Sequence, residues 1–192
     1  MQGLFEDTRT KWNSSETCQA FTLQCHDCLG GRSNNAKKVT KIVCFGLGDL
    51  NFKPPDWWRE QNDSLPEGER EPEKSVIEGS LTHHAIALTV ADIARSYVQN
   101  RDIRVRLLTQ DPAYCPESRK ILQEIGFEVV GNYGAGGFAE LDDETLVFSA
   151  FAAAPVKQII ADFARPAIII CNRITGGMGF GKPGYVCLIA PL

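Results

Sequence analysis

The residues with chemistry to offer lie where apolar runs stop. Gly46 and Gly48 follow Lys41-Ile42-Val43-Cys44-Phe45, and Asp111 follows Val105-Arg106-Leu107-Leu108 with its next two residues. Ser149 closes the run from Thr145, and Asn172 follows the run from Ala167 to Cys171. Ligands of open α/β sheets bind outside the carboxyl ends of the strands. These four places are therefore expected to converge on one crevice. Glycines there let a ligand approach the backbone, and a carboxylate ending the second strand suits ribose hydroxyls, as in nucleotide and S-adenosylmethionine sites. The third glycine of G-x-G-x-x-G is missing, because Asn51 stands in its place. The structural alternative is that Gly46 and Gly48 make a tight turn while Asp111 caps a turn before Pro112.

Further candidates stand outside those strand ends. His83 and His84 are expected in the first turn of a long helix capped by Ser80. Adjacent helical residues point about 100° apart, so at most one histidine faces the crevice, to bind an anion or move a proton. Cys25-His26-Asp27-Cys28 has C-x-x-C spacing but no second pair to complete four zinc ligands, and it ends a helix rather than opening one. Gly176 to Lys182 approaches the phosphate-binding G-x-x-x-x-G-K-[ST] pattern, but Pro183 replaces the hydroxyl and blocks the helix that must follow. Cys115-Pro116 is a dipeptide found in haem-responsive proteins, though Pro116 is also explained as the first residue of a helix. No G-x-S-x-G turn supports a Ser/His/Asp arrangement, and no two histidines have metal spacing.

The elements that must position these groups alternate. A helix is expected to begin at Ser14-Ser15-Glu16 and to stop at Gly30-Gly31, followed by a polar linker from Arg32 to Lys38. Strands are expected at 41–45, 105–108, 127–130, 145–149, 167–171 and 185–189. Helices are expected at 78–100, 116–125 and 155–163, with glycine-rich loops at 131–137 and 176–184. Asn51 to Lys74 carries four prolines and seven acidic residues, a composition that resists helix and strand, so it reads as a solvated insertion. Trp57-Trp58 is the exception and is expected to pack back on the domain or cover a site. This order indicates an α/β fold, a three-layer Rossmann-like sandwich with a mostly parallel sheet. The expected organisation is an N-terminal helix and linker over residues 1–40, then one domain over 41–192 with the acidic insertion at about 51–75.

Composition bounds the function. The 192 residues are 43% hydrophobic and 23% charged, enough for one globular domain that needs no metal or disulfide to fold. Lys+Arg 20 against Asp+Glu 24 gives a net charge of -4, which argues against general nucleic-acid binding. No apolar run reaches the ~20 residues of a membrane span, and the start MQGLFEDTRTKW lacks the core of a secretory signal. Seven cysteines, an odd number with three in strand-like runs, suit a reducing cytoplasm or nucleus.

Taken together, KIVCFGLGDL (41–50), QDPAY (110–114) and LDDETLVFSAFAAAPVKQIIADFAR (141–165) resemble the Sensitivity To Red Light Reduced-like (SRR-like) domain. The fungal branch is closest, with Lys11-Trp12 before the first strand and Ala164-Arg165-Pro166 before an apolar one. The resemblance runs from about Lys11 to Asn172. It implies a regulatory role, since plant members act in light signalling and the circadian clock and others are linked to haem metabolism or to cytoskeletal and transcriptional regulation. It transfers no catalytic residues. Its recurring positions fall on Gly46, Gly48, Asp111 and Pro112, and its haem link adds interest to Cys115, His83 and His84. The expected function is that of an SRR-like regulatory protein, with a protein partner or a small nucleotide-like ligand at the crevice. The alternatives are an S-adenosylmethionine-dependent methyltransferase-like enzyme and a haem-responsive sensor.

Overall fold

A computed structural model describes residues 2–29, 39–51, 54, 56–98, 104–131, 134–172 and 186–189. The expected loop at 176–184 and linker at 32–38 lie outside these residues. Two helices, α1 (Gln2–Asn13) and α2 (Glu16–Leu29), precede strand β1 (Lys41–Phe45). Then come α3 (Asp56–Asp63), a 3-10 turn (Glu67–Glu69) and α4 (Glu73–Tyr97). The rest alternates: β2 (Arg106–Gln110), α5 (Pro116–Glu124), β3 (Glu128–Val129), α6 (Gly136–Ala139), β4 (Thr145–Ser149), α7 (Val156–Phe163), β5 (Ile168–Asn172) and β6 (Val186–Ile189).

The strands form one sheet in the order β3-β2-β1-β4-β5-β6. The first five are parallel and β6 runs antiparallel to β5. The chain leaves β1 first toward β2 and β3 and later returns to its other side as β4. The order therefore switches between β1 and β4, the place where an α/β sheet opens a crevice. Register brings the strand ends level there: Phe45 lies opposite both Gln110 and Ser149, and Ser149 opposite Cys171.

The pleat sorts the apolar runs into two cores, as alternation along buried strands requires. Ile42, Cys44, Leu107, Leu146, Phe148, Ile168 and Ile170 face α4 and the N-terminal helices. Val43, Phe45, Leu108 and Val147 face Val156, Ile160 and Ala164 of the α7 segment, with Phe138 of α6 against them. This is the expected three-layer Rossmann-like α/β sandwich.

Three expectations about elements are corrected. The N-terminal segment folds as two helices; Ser15 does begin the second, its Oγ accepting from the Cys18 amide at 3.0 Å. The acidic stretch is not structureless. It forms α3 and the 3-10 turn, and it satisfies its own backbone: the Asn62 amide exchanges two hydrogen bonds with Glu71, and Arg70 donates to the Leu65 and Asp63 carbonyls. Trp58 is buried, but Trp57 is 61% exposed and does not pack back. Finally, α4 starts after Pro72, because Glu73 to Ile77 are helix-compatible and Ile77 extends the buried stripe of Leu81, Ala85 and Leu88. Ser80 is thus an interior helical residue rather than a cap.

Candidate functional site

The turn after β1 is built by glycine. Gly46 has φ 66° and Gly48 φ 84°, a left-handed conformation that costs other residues energy. Gly46 is also sterically required: a Cβ there would lie 2.2 Å from the Ala152 nitrogen. The segment leaving β4 crosses directly over it, extending the ladder with Ala150 N–H donating to the Phe45 carbonyl (3.1 Å) and Phe151 N–H to the Gly46 carbonyl (2.9 Å). At Gly48 the neighbour is Ser80, whose Oγ would stand 2.0 Å from a Cβ. The absent side chain of Gly48 therefore lets α4 approach the turn at Ser80.

Asp111 does not reach outward. Its Oδ2 accepts from the Gly48 amide at 2.8 Å and its Oδ1 from the Ala113 amide at 2.9 Å. Burial raises its pKa, the two amide bonds act against that rise, and the neighbouring Asp49 carboxylate adds to it. Asp49 works in the same way, its Oδ1 accepting from Leu50 (3.0 Å) and Cys115 (3.3 Å) amides. The two carboxylates thus join the turn after β1 to the segment between β2 and α5. Cys115 caps α5: its Sγ lies 3.5 Å from the Ser118 amide and 3.3 Å from the Ser118 hydroxyl.

The two histidines separate as helical geometry requires. Both lie well inside α4, His83 about 15 Å along the axis from its first residue at 1.5 Å per residue, so the helix N-terminus does not face the glycine turn. His84 is fully buried. Its Nδ1 lies 2.7 Å from the Ser80 carbonyl, which can only accept, so Nδ1 carries the proton. Nε2 then accepts from the Tyr114 hydroxyl at 3.0 Å, and that hydroxyl accepts from Thr109 Oγ1 at 2.7 Å. This buried chain fixes α4 against β2 and the Gln110–Tyr114 stretch. Burial pulls the His84 pKa down to about 3, the Ser80 hydrogen bond opposing and His83 reinforcing the fall. His83 is half-buried at the crevice rim. Its Nδ1 lies 3.4 Å from the Leu47 carbonyl and its ring 5.3 Å from that of Phe151. Burial lowers its pKa to about 4, against the Leu47 contact.

Ser149 is half-buried at the end of β4, level with Phe45. Asn172 ends β5 opposite Val186, and its side chain lies outside the described residues. Three residues that sequence reasoning missed belong to the same end of the sheet. Tyr114 completes the buried chain. Gln110 donates to the Gly134 carbonyl and accepts from the Gly137 amide; a Cβ at Gly131 or Gly137 would strike its Oε1, which is why that loop is glycine-rich. Phe151, 65% exposed at the first position beyond β4 and Ala150, is the third. The signal for it was a lone large apolar residue among small ones just past a strand end.

Between these groups lies a cleft of about 110 Å³, lined by Phe45, Gly46, Gln110, Phe138, Ala152 and Val156 among others. It is smaller than the ~300–1,000 Å³ of pockets that enclose drug-sized ligands, and its apolar walls do not fit the polar part of a nucleotide. The residues also do not fit haem: His84 has both ring nitrogens engaged, Cys115 caps α5, and the cleft is far below porphyrin size. Among the described residues no three His, Cys, Asp or Glu side chains group to hold a metal ion, and no helix is long and apolar enough to cross a membrane. His26, within the C-x-x-C stretch, is tied to the Tyr97 hydroxyl at 2.9 Å.

Comparison with curated proteins and with solved structures finds no match. A family model does match: it is described as the SRR1 domain and aligns with residues 17–178, from within α2 to beyond β5. That span contains the glycine turn, the Asp111 clasp, the histidine pair and Phe151, so the chain belongs to the SRR1 domain family.

Proposed function

We propose that this SRR1-domain protein is a non-catalytic regulatory protein whose strand-end crevice is a recognition surface for a protein partner. One observation carries the reading. The carboxylates that would hold a ribose are engaged in holding loops together, Asp111 by the Gly48 and Ala113 amides and Asp49 by those of Leu50 and Cys115. The surface left at the rim is aromatic and apolar: Phe151, the ring of His83 and the cleft beside Ala152. An exposed aromatic side chain, here Phe151 packed beside the His83 ring, is the kind of anchor that protein interfaces use. The sequence resemblance supports regulation of the signalling, circadian or stress type, and the cysteine usage supports a place in cytoplasm or nucleus. Trp12 and Ala164-Arg165-Pro166 support a fungal-type member.

The test has two arms. In a thermal-shift panel, S-adenosylmethionine, NAD and haem are expected to leave the melting temperature unchanged; a binder at ~100 times its Kd would stabilise the fold by about 2.7 kcal/mol. In cells lacking the gene, Phe151→Glu is expected to fold as the wild type does yet fail to restore the regulated phenotype. A saturable shift with S-adenosylmethionine that Asp111→Ala removes would replace this reading with a methyltransferase-like one. Full complementation by Phe151→Glu would end the partner-surface reading.

A further inference from the structure

Cys171 and Cys187 are separated by 15 residues in the chain but stand directly opposite in the sheet. The antiparallel register pairs Ile170 with Leu188, Cys171 with Cys187 and Asn172 with Val186. Directly opposed residues of an antiparallel pair have Cα atoms about 4.5–5.5 Å apart. Disulfides span Cα separations of about 4.4–6.8 Å, so the backbone already holds this pair at bonding distance.

The other described cysteines are placed elsewhere. Cys44 is in β1, with β4 between it and β5; two strand spacings put it about 9–10 Å away, too far for a bond. Cys18, Cys25 and Cys28 belong to α2, and Cys18 and Cys25 lie in the core on the α4 face of the sheet, with Ile168 and Ile170. Alternation puts Cys171 on the opposite face with Ile169. Cys115 begins α5, at the far side of β1 and β4 from β5. Among the described residues β6 is also the last strand of the sheet, bonded on one side only. Edge strands of this kind open locally at less cost than central ones, which admits a small oxidant to Cys171, buried while the strand is closed.

We propose that Cys171 and Cys187 form a redox modification site that a peroxide converts to a cross-strand disulfide, bolting β6 to β5. One thiolate attacks hydrogen peroxide, forming a sulfenic acid and releasing hydroxide, which takes up the proton that thiol had lost, as water. The second thiol attacks the sulfenic sulfur, forming the S–S bond and releasing a second water. Two thiols are oxidised and one peroxide is reduced. A thiol reductant reverses the step by exchange.

The experiment uses the full chain in native buffer. Hydrogen peroxide is added until two of the seven thiols are consumed, and the protein is alkylated and digested with trypsin without reduction. Lys-Pro and Arg-Pro bonds resist trypsin, so Cys171 falls in Gln158–Arg173 and Cys187 in Ile174–Leu192. The expected result is one dominant linked species of these two peptides, two hydrogens lighter than their sum and split by a reductant. The oxidised protein melts several degrees higher, because the bond closes a loop that the unfolded chain must keep closed. The same treatment in 8 M urea is expected to scatter the links among all cysteines. Recovery of the two peptides unlinked after two thiols are lost would overturn the proposal. So would linkage of Cys171 to other cysteines in comparable yield. In Cys187→Ser the linked species is absent; a Cys171 bond that survives there would likewise refute the pairing.

Discussion

His83 and His84 are neighbours in sequence with opposite surroundings, and both are held neutral. For His84 the cause is complete burial, reinforced by His83 and opposed by the hydrogen bond to the Ser80 carbonyl. For His83 it is burial between the turn after β1 and Phe151. A histidine whose folded pKa lies below its unfolded value of about 6.5 binds fewer protons in the native state than in the unfolded one. Its contribution to stability is complete above pH 6.5 and is lost as pH falls toward about 4 for His83 and about 3 for His84. Each costs up to about 1.4 kcal/mol per pH unit in that window. Asp111, whose pKa is raised, acts in the opposite direction, but in the carboxylate range below about pH 5. Urea midpoints measured from pH 7.5 to 5 are therefore expected to fall steadily below pH 6.5. His83→Gln, which removes one titration without opening the core, is expected to flatten that fall. A midpoint independent of pH over this range would show that the histidines ionise in place.

Gly46 and Gly48 show how one turn is held from two sides, and substitutions there separate the two constraints. At Gly46 the obstruction is the backbone of Phe151 and Ala152, which cannot withdraw without breaking the hydrogen bonds to Phe45 and Gly46. Gly46→Ala is expected to cost more than about 3 kcal/mol, within the range of strain and overpacking combined. At Gly48 the obstruction is a side-chain oxygen, with the Ser80 Cβ at 3.1 Å behind it. Gly48→Ala is expected to cost about 2 kcal/mol, part of which Ser80→Ala recovers while the φ strain remains. Urea titration of the two single variants and the double variant measures this coupling; strict additivity would mean that Ser80 does not set the spacing of α4. The same turn marks the boundary of what the sequence made legible. The strand runs, the glycines at their ends and Asp111 all follow from local pattern, so the sheet and the location of the crevice were accessible. Whether Asp111 faces a ligand or a backbone amide depends on how the turn after β1 meets the segment after β2, 63 residues further on, a non-local fact. The composition of Asn51 to Lys74 concealed a helix and a 3-10 turn because their stability comes from side-chain bonds that fold the segment back on itself, such as Asn62 to Glu71, and from one buried face at Trp58. Pro72 was the available signal for the true start of α4, since proline favours the beginning of helices.

Only part of the stability of the α/β sandwich comes from the sheet and its own crossover helices. The α4 side carries a second helical layer: α1 and α2 bury Phe5, Trp12, Phe21 and Leu29 in the same core as α4 and the strands. The Trp12 indole donates to Thr89 on α4 at 3.0 Å, and Tyr97 near the end of α4 bonds His26. Full burial of a large apolar side chain contributes roughly 1.5–3 kcal/mol, so these four supply roughly 6–12 kcal/mol. That is comparable to the whole net stability of a typical domain, about 5–15 kcal/mol. The surface they cover would otherwise be an apolar stripe along a 25-residue helix, the kind of patch that drives association. A chain beginning at Val39 is therefore expected to retain the crossover pattern but not the cooperative fold. It should bind a hydrophobic dye, elute as aggregates on size exclusion and lose its sharp melting transition. Adding residues 1–38 back as a separate peptide is expected to restore some of that transition, because the contacts are side-chain packing rather than chain connectivity. A truncated protein that is monomeric and melts within a few degrees of the full chain would place the stability of the fold in the sheet and α4 alone, and would make the N-terminal helices an accessory layer.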